Sequence, residues 1–307
     1  MTGTTAQRSM FHDMLLGWYR MARRDLPWRR TSDPYRVLVA EFMLQQTQVS
    51  RAEPVFERFV ARFPTVRALA DAPAAEVIRA WSGMGYNRRA VNVHRTAMLI
   101  CSDHGGMVPS DEETLRTFPG VGRYTAAAVA CFGFGRRVAV LDTNVQRVLG
   151  RVNSGLMPMR PSEAWRLAEE SLPKDEPSAA DWNQAMMDLG ATICVARAPR
   201  CGGCPVRTTC VSADIFGTAG KAWEPVAVAE RPKTPVYVGS SRYYRGRIVE
   251  ALRSVEGSIP IKELAGLVIS GSGDEAGGRF DERIARLVDS LDKDGLVRFS
   301  RGTVSLP

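Results

Sequence analysis

The chain has 307 residues, 45% hydrophobic and 24% charged, a balance that excludes a disordered or collagen-like polymer and leaves room for two or more domains with sizeable cores. Forty-one basic against 33 acidic side chains leave a net charge of +8, which favours a polyanionic partner over an acidic protein. That charge is dilute, and 36 of the 41 basic residues are Arg, a skew that coding-sequence composition alone can produce.

Charge is uneven along the chain. Residues 1–236 hold 30 basic and 23 acidic side chains, a net of +7, whereas residues 237–307 hold 11 and 10, a net of +1. The surface that meets a polyanion is therefore expected in the first three quarters. The N-terminus, MTGTTAQRSMFHDM, lacks the apolar run of a signal peptide, and no stretch approaches the ~18 apolar residues of a membrane span, so a soluble, cytoplasmic protein is expected. Six cysteines in a reducing compartment point to metal binding before disulfides.

In chain order, apolar residues at helical spacing begin with Phe11, Leu15, Trp18 and Tyr19. In YRVLVAEFMLQQTQ, Glu41 has Val37, Leu38, Leu44 and Gln45 as its helical neighbours, which puts a carboxylate on a mostly apolar face. Burial there would disfavour the charged form and suit a general acid; an exposed Glu, or one paired with Arg36, is the plain alternative. A further helix carries Val77, Ile78 and Trp81.

Residues 111–132 show helical periodicity on both sides of Pro119-Gly120-Val121-Gly122. Two glycines in such a turn permit positive φ, so that Gly120, Val121 and Gly122 can present backbone amides to a DNA phosphate at a helix N-terminus, or simply join two helices. In VAVLDTNVQRVLG, Asp142 stands where a helix N-cap is expected, and an Asp so placed can also face a cleft with Asn144 as hydrogen-bond partner.

Cys194, Cys201, Cys204 and Cys210 follow the pattern C-x6-C-x2-C-x5-C, close enough in sequence for one soft centre, either tetrahedral zinc or an iron-sulfur cluster. With four thiolates the centre has no open position for catalysis. The loop's Arg197, Arg200 and Arg207 suit phosphate contacts, and isolated Cys101 and Cys131 suit core packing.

Prolines and glycines break helical periodicity in a linker at 216–240. Beyond it, helical patterns at about 242–254, 260–269 and 279–292 precede two β-prone runs that flank Arg301-Gly302, the outline of a winged helix. Arg242, Arg245 and Arg247 at its start are DNA contacts or a solvated helix face.

Together these segments resemble the helix-hairpin-helix DNA glycosylases, specifically the adenine DNA glycosylases of the MutY type. The likeness runs through LPWR (26–29), AEFMLQQTQV (40–49), GMGYNRRA (83–90), PGVGRYTA (119–126), LDTNVQRV (141–148), NQAMMDLGA (183–191) and the four cysteines. It implies a mainly α fold: a two-lobed glycosylase domain at 1–215 with a 4Fe-4S cluster on Cys194, Cys201, Cys204 and Cys210, then the linker and a small α/β winged-helix-like module at 241–307. The implied activity is monofunctional excision of adenine opposite 8-oxoguanine or guanine, by a monomer acting on double-stranded DNA.

Carried over by position, Glu41 matches the acid that protonates the leaving adenine, and Asp142 the carboxylate that stabilises the cationic sugar, supported by Asn144. Tyr124 stands beside the reacting sugar where bifunctional, endonuclease III-like relatives carry Lys. Trp28, Arg29, Leu44 and Asp188 match the base pocket, and Gln46 and Tyr86 the wedge that fills the vacated stack. Asn87 and Thr143 depart from the family's usual Tyr and Gly. Longer members read 8-oxoguanine with a NUDIX-like C-terminal domain, for which residues 237–307 are too short. Thymine or uracil excision opposite guanine, and a non-catalytic metal-stabilised DNA-binding protein, are the competing readings.

Overall fold

The computed structural model of the chain describes residues 5–155, 159–217, 237–269 and 278–307, so most of the expected linker, 218–236, lies outside the described residues. None of the described helices is long and apolar enough to cross a membrane. The helices are, in order, α1 (Thr5–Ala22), α2 (Pro34–Leu44), α3 (Val49–Arg62), α4 (Val66–Ala70), α5 (Ala74–Ala80) and α6 (Arg88–Asp103). Next come α7 (Glu112–Leu115), α8 (Arg123–Phe134), α9 (Thr143–Asn153), α10 (Pro161–Glu170), α11 (Glu176–Thr192) and α12 (Ala213–Gly217). The last three are α13 (Ser241–Arg253), α14 (Ile261–Ile269) and α15 (Gly278–Lys293), with strands β1 (Ile259–Pro260), β2 (Arg298–Ser300) and β3 (Thr303–Ser305). The fold is mainly α, as the periodicities require, and every described strand lies beyond residue 258.

The chain divides into two compact units. One consists of Met1–Leu38, Ser110–Arg116 and Val121–Ala229. Its core gathers Phe11, Leu15 and Tyr19 of α1, Val145, Val148 and Leu149 of α9, and Trp182, Met186 and Leu189 of α11. These residues recur every three or four positions because one face of each helix is removed from water. Helix α8 is different: Ala126 to Cys131 are all buried, so it is apolar all round and sits inside the unit. Aspartates begin the helices around it: Asp111, Asp142 and Asp175 each accept the backbone N–H three residues on.

The other unit consists of Val39–Pro109, Thr117–Gly120 and Glu230–Pro307. Its helical part is built on buried Phe42, Phe59, Leu69, Trp81 and Ile100, with the Phe59 ring edge-on to Trp81. The C-terminal residues add the three helices at the places their periodicity indicates, with Tyr244, Ile248, Val249 and Leu252 of α13 turned inward. The sheet order is β1-β3-β2, antiparallel throughout, with Phe299 opposite Val304 and Ile259 on the other side of Val304. Arg301 (φ 49°) and Gly302 (φ 77°) make the β2–β3 turn, where two left-handed residues match the strand twist. Strand β1 is the unforeseen member: two residues are too few to show alternation.

Two glycines are required by close approach. Gly120 has φ 80°, and a Cβ there would stand 2.7 Å from Asn92 Nδ2. At Gly190 a Cβ would stand 2.7 Å from the Asn144 Cβ, so the bare backbone of α11 lets the start of α9 come close.

Candidate active site

Asp142 fills both roles that its sequence position allows. One carboxylate oxygen accepts the Val145 N–H at 2.7 Å and caps α9; the other accepts the Asn144 side-chain N–H at 2.8 Å. Asn144 is held in turn: its carbonyl oxygen accepts from Arg147 at 2.9 Å, and Arg147 also donates to the carbonyls of Gly190 (2.6 Å) and Cys194 (2.8 Å). The carboxylate is thus the end of a chain of donors that begins at the cysteine loop. Burial lowers the Arg147 pKa.

Cys194, Cys201, Cys204 and Cys210 line one cavity of about 20 Å³. Arg151, one turn after Arg147, donates to the Cys194 sulfur at 3.4 Å and to the carbonyls of Val195 (2.9 Å) and Ala196 (2.8 Å). Burial pushes the Cys204 thiol up to about 11, and burial with the neighbouring cysteines raises Cys201 and Cys210. Such a donor set ionises readily only against bound cations. No group of three or more ligating side chains among the described residues is arranged to hold a single metal ion.

Asp188 is fully buried and locked. Arg29 donates to both its oxygens (2.8 and 2.9 Å), Arg24 Nε to one of them at 2.6 Å, and the Arg24 backbone N–H to the other at 3.1 Å. Burial alone would raise this carboxyl, and the Arg29 and Arg24 guanidiniums outweigh it, holding it below the usual range. Trp28 is buried in the 3-10 turn Pro27–Arg29 beside this pair. Tyr124, in the first turn of α8, is partly buried against Ala127, Ala128, Cys131 and Val140.

In the second unit Glu41 is 5% exposed, between Val37 and Leu38 one turn before it and half-buried Leu44 after it. The burial expected of this carboxylate is observed. The loops that follow α2 and precede α6 bring Gln46 and Tyr86 to one cleft, both with left-handed backbone (φ 56° and 44°), a conformation that a non-glycine residue adopts only under constraint. The constraint is Arg89. Buried at 7% exposure, it donates to the carbonyls of Phe42, Met43 and Gln45 after Glu41, to the Thr47 hydroxyl, and to the carbonyls of Met84 and Gly85.

The PGVG turn differs in part from expectation: Gly120 has positive φ, but Gly122 is extended (φ −89°, ψ 179°) and occupies the N-cap of α8, whose first turn no side chain caps. Gly120 is tied down by Gln45, whose amide donates to its carbonyl at 3.1 Å. Arg89, Arg147, Arg151 and Gly190 escaped the sequence reading. The available signal was that Arg147 and Arg151 stand four apart on α9 among Val145, Val148 and Val152, on helix faces the periodicity commits largely to the core.

Residues 39–174, which contain Glu41, Gln46, Tyr86, Tyr124, Asp142 and Asn144, match the family described as the HhH-GPD superfamily of base excision DNA repair proteins. The chain is 42% identical over 284 residues to the adenine DNA glycosylase of Mycolicibacterium smegmatis, covering 92% of this chain and 91% of that protein. That alignment leaves about 25 residues outside, so it includes most of residues 237–307. The human adenine DNA glycosylase is 39% identical over 218 residues, 67% of this chain and 40% of that one. Among solved structures, a thermostable thymine-DNA glycosylase superposes with a TM-score of 0.64 at 31% identity, over 68% of this chain and 98% of that one. A trapped endonuclease III–DNA covalent intermediate shares the fold with a TM-score of 0.60 at 24% identity, over 70% of this chain and 99% of that one. The chain therefore belongs to the HhH-GPD superfamily of base excision DNA repair proteins, as a member of its adenine DNA glycosylase, or MutY-type, family.

Proposed function

We propose that the protein is a monofunctional DNA glycosylase that removes adenine mispaired with 8-oxoguanine or guanine in double-stranded DNA, working as a monomer. The observation that carries this reading is the buried Glu41 within the matched family segment. Glu41 donates a proton to the flipped-out adenine, the bond between the sugar C1′ and the base nitrogen breaks, and its electron pair leaves with the neutral base. Asp142, oriented by the Val145 N–H and the Asn144 amide, stabilises the positive charge left on the sugar. Water then adds to C1′ and loses a proton, giving an intact abasic site. Tyr124 offers no amine for a Schiff base, so no strand cleavage follows.

Gln46 and Tyr86 fill the gap that the flipped base leaves, held in their strained backbone by Arg89. Gly120 and the uncapped start of α8 receive a phosphate. Trp28, Arg29 and Leu44 border the base, while the Asp188 carboxylate keeps Arg29 in place. Cys194, Cys201, Cys204 and Cys210 would hold a 4Fe-4S cluster, whose iron–thiolate bonds would tie the loop down; the one cavity that the four cysteines share supports this.

The test is single-turnover excision on duplexes carrying A opposite 8-oxoguanine, A opposite guanine, T opposite guanine and U opposite guanine. Release of adenine is expected. Release of thymine without adenine would transfer the reading to the thymine-DNA glycosylase branch, which the 31% identical structure represents. Glu41→Gln should bind the adenine mispair as the parent does and excise about a thousandfold more slowly.

A further inference from the structure

Beside Gln46 and Tyr86 the second unit holds a cleft of about 810 Å³, within the size range of small-molecule sites and roomy enough for a nucleotide. The loop at 45–47, the loop at 84–87 and the start of α6 form one wall. The C-terminal residues form the other, through Tyr237, Arg242, Arg245, Leu291 and Leu296. Among the described residues no carboxylate lines it; arginines, side-chain amides and two tyrosines do. That combination of cations, amides and aromatic faces suits a nucleotide: charge for phosphate, bidentate donors and amides for a base edge, and rings for stacking.

The second wall is firmly seated. Arg253 donates to the Ile78 carbonyl (3.1 Å) and the Asn87 side-chain oxygen (2.9 Å), and Arg79 donates back to the carbonyls of Arg253 (3.4 Å) and Val255 (3.2 Å). Not every arginine is available. Arg89 is spent on carbonyls and Arg245 is bound to Asp294 and Ser290. Arg242 is exposed, with its guanidinium 4.1 Å from the Tyr86 ring centroid and 5.7 Å from that of Tyr237. Through it the C-terminal residues reach the Tyr86 side chain directly.

We propose that Arg242, stacked on Tyr86, is a specificity-determining residue that binds the edge of the guanine-type base facing the excised adenine on the opposite strand. The inference rests on the reading of Tyr86 and Gln46 as the wedge: expelling adenine leaves its partner unpaired next to them, and a guanidinium is the side chain that best matches the acceptors of a guanine edge. The C-terminal module would thereby take part in reading the mispair.

Affinities of the full-length protein, Arg242→Ala and Arg242→Lys would be measured by fluorescence anisotropy. Three duplexes would be compared, in which adenine faces guanine, 8-oxoguanine or an abasic spacer, with excision followed on the same samples. Arg242→Ala is expected to weaken binding about tenfold where a purine faces the adenine and less than about twofold with the spacer, and Lys should restore little because an ammonium lacks the plane. Equal weakening on all three duplexes would reduce Arg242 to a phosphate contact, and unchanged affinity on all three would remove it; either result overturns the proposal. A parent protein that released no adenine from any duplex would sink the functional reading instead, while the affinity comparison would still judge the cleft.

Discussion

The two units place their candidate carboxylates in different surroundings. Asp142 is surrounded by donors, the Val145 N–H and the Asn144 amide, with Arg147 behind them. Glu41 is buried at 5% exposure on a helix whose positions one turn before it, Val37 and Leu38, are buried and apolar. In the proposed reaction, a carboxylate facing a cation gains from donors aimed at it, and a general acid gains from exclusion of water. In each unit an arginine acts at one remove, with donors given to backbone carbonyls: half-buried Arg147 behind Asp142, and buried Arg89 beneath the loops of Gln46 and Tyr86.

The largest stability effect is expected from the third arrangement, the Asp188 lock. Asp188→Asn leaves Arg29 and Arg24 without their anion and should cost about 3–5 kcal/mol in chemical denaturation. Because the Arg29 and Arg24 guanidiniums hold this carboxyl below its ordinary range, its contribution is complete above about pH 4 and is lost as the pH falls through the lower folded-state value. The gap between parent and variant should therefore be constant at neutral pH and close on acidification below about pH 4.

Next comes Arg89→Met, which deprives the carbonyls of Phe42, Met43, Gln45, Met84 and Gly85 of their shared donor. About 2–3 kcal/mol of stability should go, and DNA affinity with it as the strained turns at Gln46 and Tyr86 relax. Arg147→Met should be milder, about 1–3 kcal/mol, and different in kind: excision slowed about ten- to hundredfold with DNA affinity unchanged, as when the outer partner of a functional ligand is removed. If the two variants lost binding and rate in the same proportion, the division of labour between the units would not hold.

Much of this site could be read along the chain. Glu41 stood out because a carboxylate interrupts an apolar helical face, Asp142 because it precedes a helical pattern, and the cysteines because four lie within 17 residues. All three are local signals, set by neighbours within a few positions. Arg89 carried no such mark, since its acceptors lie up to 47 residues away in sequence. Nor did Gly190, whose missing side chain matters only because Asn144 comes within 2.7 Å of where a Cβ would be.

The sequence by itself determined the mainly α character, the helix starts, the family motifs and the three helices and hairpin of the C-terminal region, because periodicity, caps and turn residues act over one or two turns of chain. Only the tertiary structure decided which backbone carbonyls the buried arginines serve, and that residues 230–307 belong to one compact unit with residues 39–109. Those choices depend on groups far apart in sequence meeting with their hydrogen bonds satisfied, which no local pattern encodes.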